Sequence, residues 1–252
     1  MAQINDEFMI NLYGGQNPFL TAQLRHLDNN YPHTNILPEL IDYLILNCRP
    51  KFFLELGSFV GGSAILIANS IKRNASDAGL VCCDPFCGDV NMWDWEKDSP
   101  VAGKDKNRYR FLGLENGIVT IYPRFLANVF FNGHADTITP IQATSLVAIK
   151  LIERLYDQKR ISQKPSIIYL DSAHEEHETL LELEVCWKAL PSKGVLFGDD
   201  WSWQAVRNDV MRLSQKIDVD ALAVQKAYSQ LAGSEIFGNI FLLKGQWILF
   251  KP

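Results

Sequence analysis

No run of lysine or arginine marks any part of the sequence. Its 24 basic residues are scattered among 29 acidic ones, for a net charge of -5. That excludes the clustered basic face a nucleic-acid partner would need. No apolar stretch approaches the length of a bilayer span, so no membrane partner is expected. The start, Met1 to Phe8, is polar, carries Asp6 and Glu7, and lacks the basic and apolar regions of a secretory signal. Cysteine is scarce and odd in number: Cys48, Cys82, Cys83, Cys87 and Cys186. No paired C-x-x-C pattern offers a zinc site, and Cys82 and Cys83 would point to opposite faces of a strand. Buried free thiols in a reducing cytoplasm are the expectation. Internal repeats and low-complexity stretches are absent as well.

What is present is enough for one sizeable core: 252 residues, 47% of them hydrophobic, which a single domain over 1–252 accommodates. Four short apolar runs bounded by turn chemistry read as buried parallel strands, namely Phe52 to Leu56, Leu80 to Cys83, Ser166 to Leu170 and Gly194 to Phe197. Thr137 to Gln142 is a less regular fifth. Helical patterns alternate with them at Ser63 to Lys72, Phe125 to Asn132, Leu146 to Tyr156 and Glu175 to Leu190. This alternation predicts an α/β fold with a doubly wound, mostly parallel, Rossmann-like sheet.

Two regions depart from the alternation. Residues 1–50 hold one amphipathic helix, Pro38 to Asn47, and suit a cap over the sheet edge. Pro85 to Pro123 holds Trp93, Trp95, Tyr109, Phe111 and Tyr122 among Gly, Pro and charges, and its aromatic content suggests a lid. Beyond Trp201 a helix (Trp203 to Lys216) precedes two strand-like runs. These are Ile236 to Leu243 and Trp247 to Phe250, joined by Lys244-Gly245-Gln246 as a terminal antiparallel hairpin.

Two segments carry chemistry. Phe52 to Ser63 is a strand, a glycine turn and a helix start around Glu55, Gly57, Ser58 and Gly61. Gly57 lets the chain leave the strand sharply, and Gly61 or Gly62 lets backbone approach a ligand. Ser63 sits where a helix N-terminus would welcome a carboxylate. Asp84, ending the next strand, is placed to accept from ribose hydroxyls. Phe59 stands where a dinucleotide fingerprint has its second glycine, which disfavours NAD while leaving room for an adenosyl ligand.

The second segment is acidic. Asp171 follows one strand with His174 three residues on, and Asp199-Asp200 follow the next. Adjacent parallel strands bring their C-terminal ends together. Three crowded carboxylates suit a hard cation such as Mg²⁺, Ca²⁺ or Mn²⁺. Helix capping would account for any one of these acids taken singly. His174, nearest the strand end, is the candidate base.

Glu55 to Ala64 resembles motif I of the catechol O-methyltransferase type of class I methyltransferases. The pairing of Tyr169-Leu170-Asp171 with Phe197-Gly198-Asp199-Asp200 is similar to that family's metal-binding strand ends. The spacing from Asp171 to His174 looks more like the bacterial natural-product and macrolide-sugar O-methyltransferases. The resemblance runs from about Phe52 to about Asn208, interrupted by the aromatic insert, and Ser172 replaces a glycine of the family pattern.

It implies S-adenosylmethionine as cofactor, with Gly57 and Ser58 beside its methionine part, Ser63 at its carboxylate, Asp84 at the ribose and Ser145 near the adenine. It further implies Mg²⁺ or another divalent cation on Asp171, Asp199 and Asp200, His174 as base, and a small-molecule hydroxyl as methyl acceptor. Trp93, Trp95, Phe111 and Trp201 either stack on that acceptor or pack a lid, and a homo-oligomer stays open. Two competitors remain: a non-haem iron oxygenase using Asp171, His174 and His177, and a non-catalytic adenosyl-binding protein.

Overall fold

The computed structural model describes residues 2–21, 24, 34–93, 108–172 and 174–252. In chain order these form α1 (Gln3–Tyr13), α2 (Pro18–Thr21), α3 (Pro38–Cys48), β1 (Phe52–Leu56), α4 (Gly62–Arg73) and β2 (Gly79–Asp84). Then come α5 (Val90–Trp93), a 3-10 turn (Arg108–Leu112), α6 (Ile121–Phe131), β3 (Ile138–Gln142), α7 (Ser145–Asp157) and β4 (Ile167–Leu170). The chain closes with α8 (Glu178–Ala189), β5 (Val195–Gly198), α9 (Gln204–Ser214), α10 (Ala221–Gln230), β6 (Ser234–Phe237), β7 (Ile240–Leu243) and β8 (Gln246–Phe250).

One eight-stranded sheet runs β3-β2-β1-β4-β5-β8-β7-β6. The first five strands in that order pair in parallel, and β8 joins β5 antiparallel. Successive side chains of β1, β2, β4 and β5 alternate between two cores. Phe53, Leu80, Cys82, Ile167, Tyr169 and Phe197 face one core. Phe52, Leu54, Val81, Cys83, Ile168 and Leu196 face the other. Covered on both faces, these strands are apolar throughout and so legible as continuous runs. Cys82 and Cys83 do point opposite ways, and all five thiols are free. Pro140 sits in β3, an edge strand, where a missing N–H costs little.

The structure corrects several element boundaries. The terminal hairpin is a three-stranded meander, because Gly238-Asn239 forms a second two-residue turn, with Gly238 at φ 61° and Phe237 facing Ile240. The expected turn at Lys244-Gly245 is present, both residues having positive φ. Helix α6 starts at Ile121, inside the expected lid. Helix α8 starts only at Glu178, after His177 at φ 72°. Helices α1 and α10 were not legible. In α1 Ile4, Phe8 and Leu12 face the core at four-residue spacing, and the buried Asn5 beside them donates to the Thr137 carbonyl at 2.6 Å.

The described part of the insert packs against the core. Phe86, Leu112 and Ile121 are buried, and the Phe86 ring packs on Tyr122 and Phe125 at 4.8 and 5.1 Å. Trp95 lies outside the described residues. No described helix is long and apolar enough to cross a membrane.

Candidate active site

The strand β1 ends in a turn tied down on several sides. Gly57 has φ 88°, a conformation L side chains rarely adopt, and a Cβ there would collide with the backbone carbonyl of Asp171. Its N–H donates to the Cys83 carbonyl at 2.9 Å, and the Asp171 N–H donates to the Leu56 carbonyl at 2.9 Å. Phe59 occupies left-handed backbone space at φ 46°. The Asp84 carboxylate accepts its N–H at 2.8 Å and that of Phe86 as well. From the far side, Asn128 donates to the Val60 carbonyl at 2.8 Å. Gly61, at φ 94°, forms the N-cap of α4.

Glu55 is fully buried behind this turn. It accepts from the Ser58 hydroxyl at 2.6 Å, while its other oxygen has no partner among the described residues. Burial pushes its pKa up to about 7 against the pull of Ser58, Ser63 and Cys82. Asp84 is raised too, by burial opposed by its N–H bonds.

At the neighbouring strand ends, β4 delivers Asp171 and β5 delivers Asp199 and Asp200, with Leu170 level with Gly198. Gly198 is required by close approach, since a Cβ would strike the Leu170 carbonyl and the Trp247 ring. The Trp247 indole donates to the Asp199 carbonyl at 2.9 Å. The His174 Nε2 lies 2.8 Å from Asp200 and 3.6 Å from Asp171. One ligand atom each from Asp171, His174 and Asp200 falls within 4.8 Å of the others, a spacing that fits a single cation. Asp199 stands beside this group, its carboxylate accepting the Asp200 N–H at 2.8 Å.

The titrating groups here act on one another. Burial lowers the His174 pKa, but the hydrogen bonds and charges of Asp171 and Asp200 more than reverse it and hold it at about 10. Burial raises Asp171, against its bond to His174. Burial and the Asp171 charge push Asp199 up to about 7. The Asp171 and Asp200 carboxyl groups, both facing the His174 Nε2, thus favour its charged form. Its ring centroid lies 5.4 Å from that of Trp203.

The iron-oxygenase triad is not assembled. His177 precedes α8 rather than lying on it, so it shares no helical face with His174. Its exposed ring lies 2.8 Å from the Arg212 guanidinium, with Asp209 beyond.

Both segments open on one cavity of about 770 Å³. Gly57, Ser58, Ser63, Asp84, Ser145, Asp171, His174, Asp199 and Asp200 line it; Glu55 and Gly61 stand behind its wall. Asp89, Glu175, Glu178 and Glu182 add further carboxylates to the lining, and among the described residues no lysine or arginine lines it. Sequence reasoning missed Glu182, because on α8 an acid four residues after Glu178 reads as part of a solvated face. The fold instead turns it inward, where it accepts from the Ser172 hydroxyl at 2.7 Å.

The family model for a methyltransferase domain matches residues 54–201, more than half of the chain and the span carrying both segments. No curated protein sequence matches. Among solved structures, the O-methyltransferase TomG from Streptomyces achromogenes, involved in tomaymycin synthesis and solved with S-adenosylmethionine, is similar at TM-score 0.53. It shows 14% identity over 100% of both chains. An O-methyltransferase from Bacillus cereus, solved with S-adenosylhomocysteine, is similar at TM-score 0.50 and 12% identity, over 98% of this chain and 96% of that one. At these identities the likeness is one of fold.

Proposed function

The chain belongs to the methyltransferase-domain family, and on that premise we propose that it transfers a methyl group from S-adenosylmethionine to a hydroxyl oxygen of a small molecule, assisted by a divalent cation. The observation that carries this reading is a cavity walled by carboxylates, without lysine or arginine among the described residues. Such a wall repels phosphates and favours a sulfonium and a metal ion. It joins the glycine turn to the acidic group, so donor and acceptor would meet in one space.

Gly57, Ser58, Ser63 and Asp84 would hold the methionine and ribose parts of the cofactor, and Ser145 the adenine end. Asp171 and Asp200, which together with His174 come within reach of one ion, would hold the cation with Asp199 beside them; carboxylate donors suit Mg²⁺. When bound, the cation would lower the pKa of an acceptor hydroxyl, and the cofactor would supply an electrophilic methyl.

His174 would take the acceptor hydroxyl's proton, and a bound S-adenosylmethionine would supply the methyl group and leave as S-adenosylhomocysteine. An imidazole must be neutral to accept a proton, so a cation that engages Asp171 and Asp200, which favour the charged form of His174, would also ready it as a base. Positioning supplies much of the acceleration. Acceptors with two neighbouring oxygens, on a sugar or an aromatic ring, match an acidic pair that shares a cation.

Transfer of labelled methyl from S-adenosylmethionine to a panel of vicinal diols and catechols tests the reading. Failure to bind S-adenosylhomocysteine in calorimetry would overturn it.

A further inference from the structure

We infer that Glu182 is a specificity-determining residue: it turns the Ser145–Ser172–Glu182 chain at the α7–α8 end of the cavity into a hydrogen-bond acceptor, and so selects a ligand that donates there. The inference rests on the proposed cofactor, whose exocyclic 6-amino group is the donor it would read.

The wall is a chain of three groups. The Ser145 hydroxyl donates to the Ser172 hydroxyl at 3.2 Å, and Ser172 donates to a Glu182 carboxylate oxygen at 2.7 Å. A hydroxyl has one proton to give. With both serine protons directed toward the carboxylate, which Ser145 also reaches, what remains for a ligand is the unused lone pairs of Glu182 and of the serines. All of these accept. Glu178, one helical turn earlier on the same wall, carries only acceptors when ionised. The amide in the lining, Asn35, is at the opposite end beside Asp199.

Ser145 is buried and Glu182 partly so, hence an unmatched carbonyl placed against this wall would lose its water without gaining a partner. An amino group there gains one or two bonds to the chain. The discrimination is thus between a 6-amino and a 6-oxo purine, which differ in shape by very little. Glu182 also ties together α7, the loop after β4 and α8, so a purely structural role is the competing account.

Calorimetry with S-adenosylhomocysteine and its deaminated analogue S-inosylhomocysteine separates the two, in wild type and Glu182→Gln. The wild type is expected to favour the amino ligand by about tenfold or more, the scale of one hydrogen bond to a charged group. Glu182→Gln keeps the shape and the bond from Ser172 but adds a donor, so the ratio should collapse toward one or invert. An unchanged ratio in Glu182→Gln, or a parallel loss of both ligands, would overturn the inference. The wild-type ratio needs no variant, and equal binding of the two ligands also overturns it. Binding of neither ligand by the wild type would instead refute the proposed cofactor.

Discussion

The backbone of Gly57 runs directly against the carbonyl of Asp171, leaving no room for a Cβ between them. This contact welds the glycine turn after β1 to the acidic loop after β4. The two segments proposed to hold the methyl donor and the proton acceptor are thus placed relative to each other by backbone packing.

Gly57→Ala should therefore be among the most damaging single-atom additions in the chain. It combines left-handed strain with a backbone collision, for a loss of about 2–5 kcal/mol. Gly245→Ala, at φ 92° but with nothing within 4 Å of its Cβ, should lose only about 1 kcal/mol. Urea unfolding of both variants measures the difference; equal losses would show that the close approach is not real.

His174→Ala should lower turnover by about a hundredfold or more while S-adenosylhomocysteine affinity holds. If His174 is a base, Mg²⁺ affinity in the variant should also stay within a few-fold of wild type. Loss of Mg²⁺ binding would make His174 a ligand, and normal turnover would remove it from the mechanism.

The acidic group has a definite pH signature in metal-free protein. His174, raised from 6.5 to about 10 in the fold, adds stability fully below about pH 6.5 and loses it as pH rises toward 10. The stability gap between wild type and His174→Ala should shrink across that window. Asp199, raised from 3.8 to about 7, acts in the same direction over a lower window, since folding resists its ionisation and the wild type loses stability as pH climbs through that range. Asp199→Asn should thus gain on wild type from about pH 4 to pH 7 and then level off. Chemical denaturation in EDTA at stepped pH reads both; a flat Asp199→Asn difference would contradict the burial of that carboxylate.

Chelation by EDTA should abolish transfer, and added Mg²⁺ should restore it. Because Asp171 and Asp200 favour the protonated form of His174, binding of Mg²⁺ near pH 8 should also release a proton. Calorimetry in two buffers of different ionisation enthalpy detects that release. Full activity in EDTA-treated enzyme would end the metal assignment.

Much of the fold was legible because a sheet covered on both faces writes itself as apolar runs. Phe52–Leu56, Ile167–Leu170 and Val195–Gly198 needed no tertiary information, and the order of strand ends alone placed Asp171 near Asp199 and Asp200. Helix α1 is short and polar on most of its surface, and its apolar positions Ile4, Phe8 and Leu12 show as a core-facing stripe only once they meet the sheet, beside the hydrogen bond from Asn5. The split at Gly238-Asn239 was hidden inside one hydrophobic run.

Within the site, the sequence by itself determined which residue types meet: a glycine turn, a strand-end Asp84, and acids with a histidine across two adjacent strands. Only the tertiary structure decided which acid meets the histidine. Consecutive side chains diverge, and Asp200, held at φ 59°, turns to His174 while Asp199 bonds the Asp200 N–H and is anchored through its carbonyl by Trp247 from β8. That anchor lies 48 residues away in the chain, beyond the reach of any local pattern. The same holds at the Gly57 turn: a glycine there is readable in the sequence, but its reason, the carbonyl of Asp171, exists only once β1 and β4 have paired.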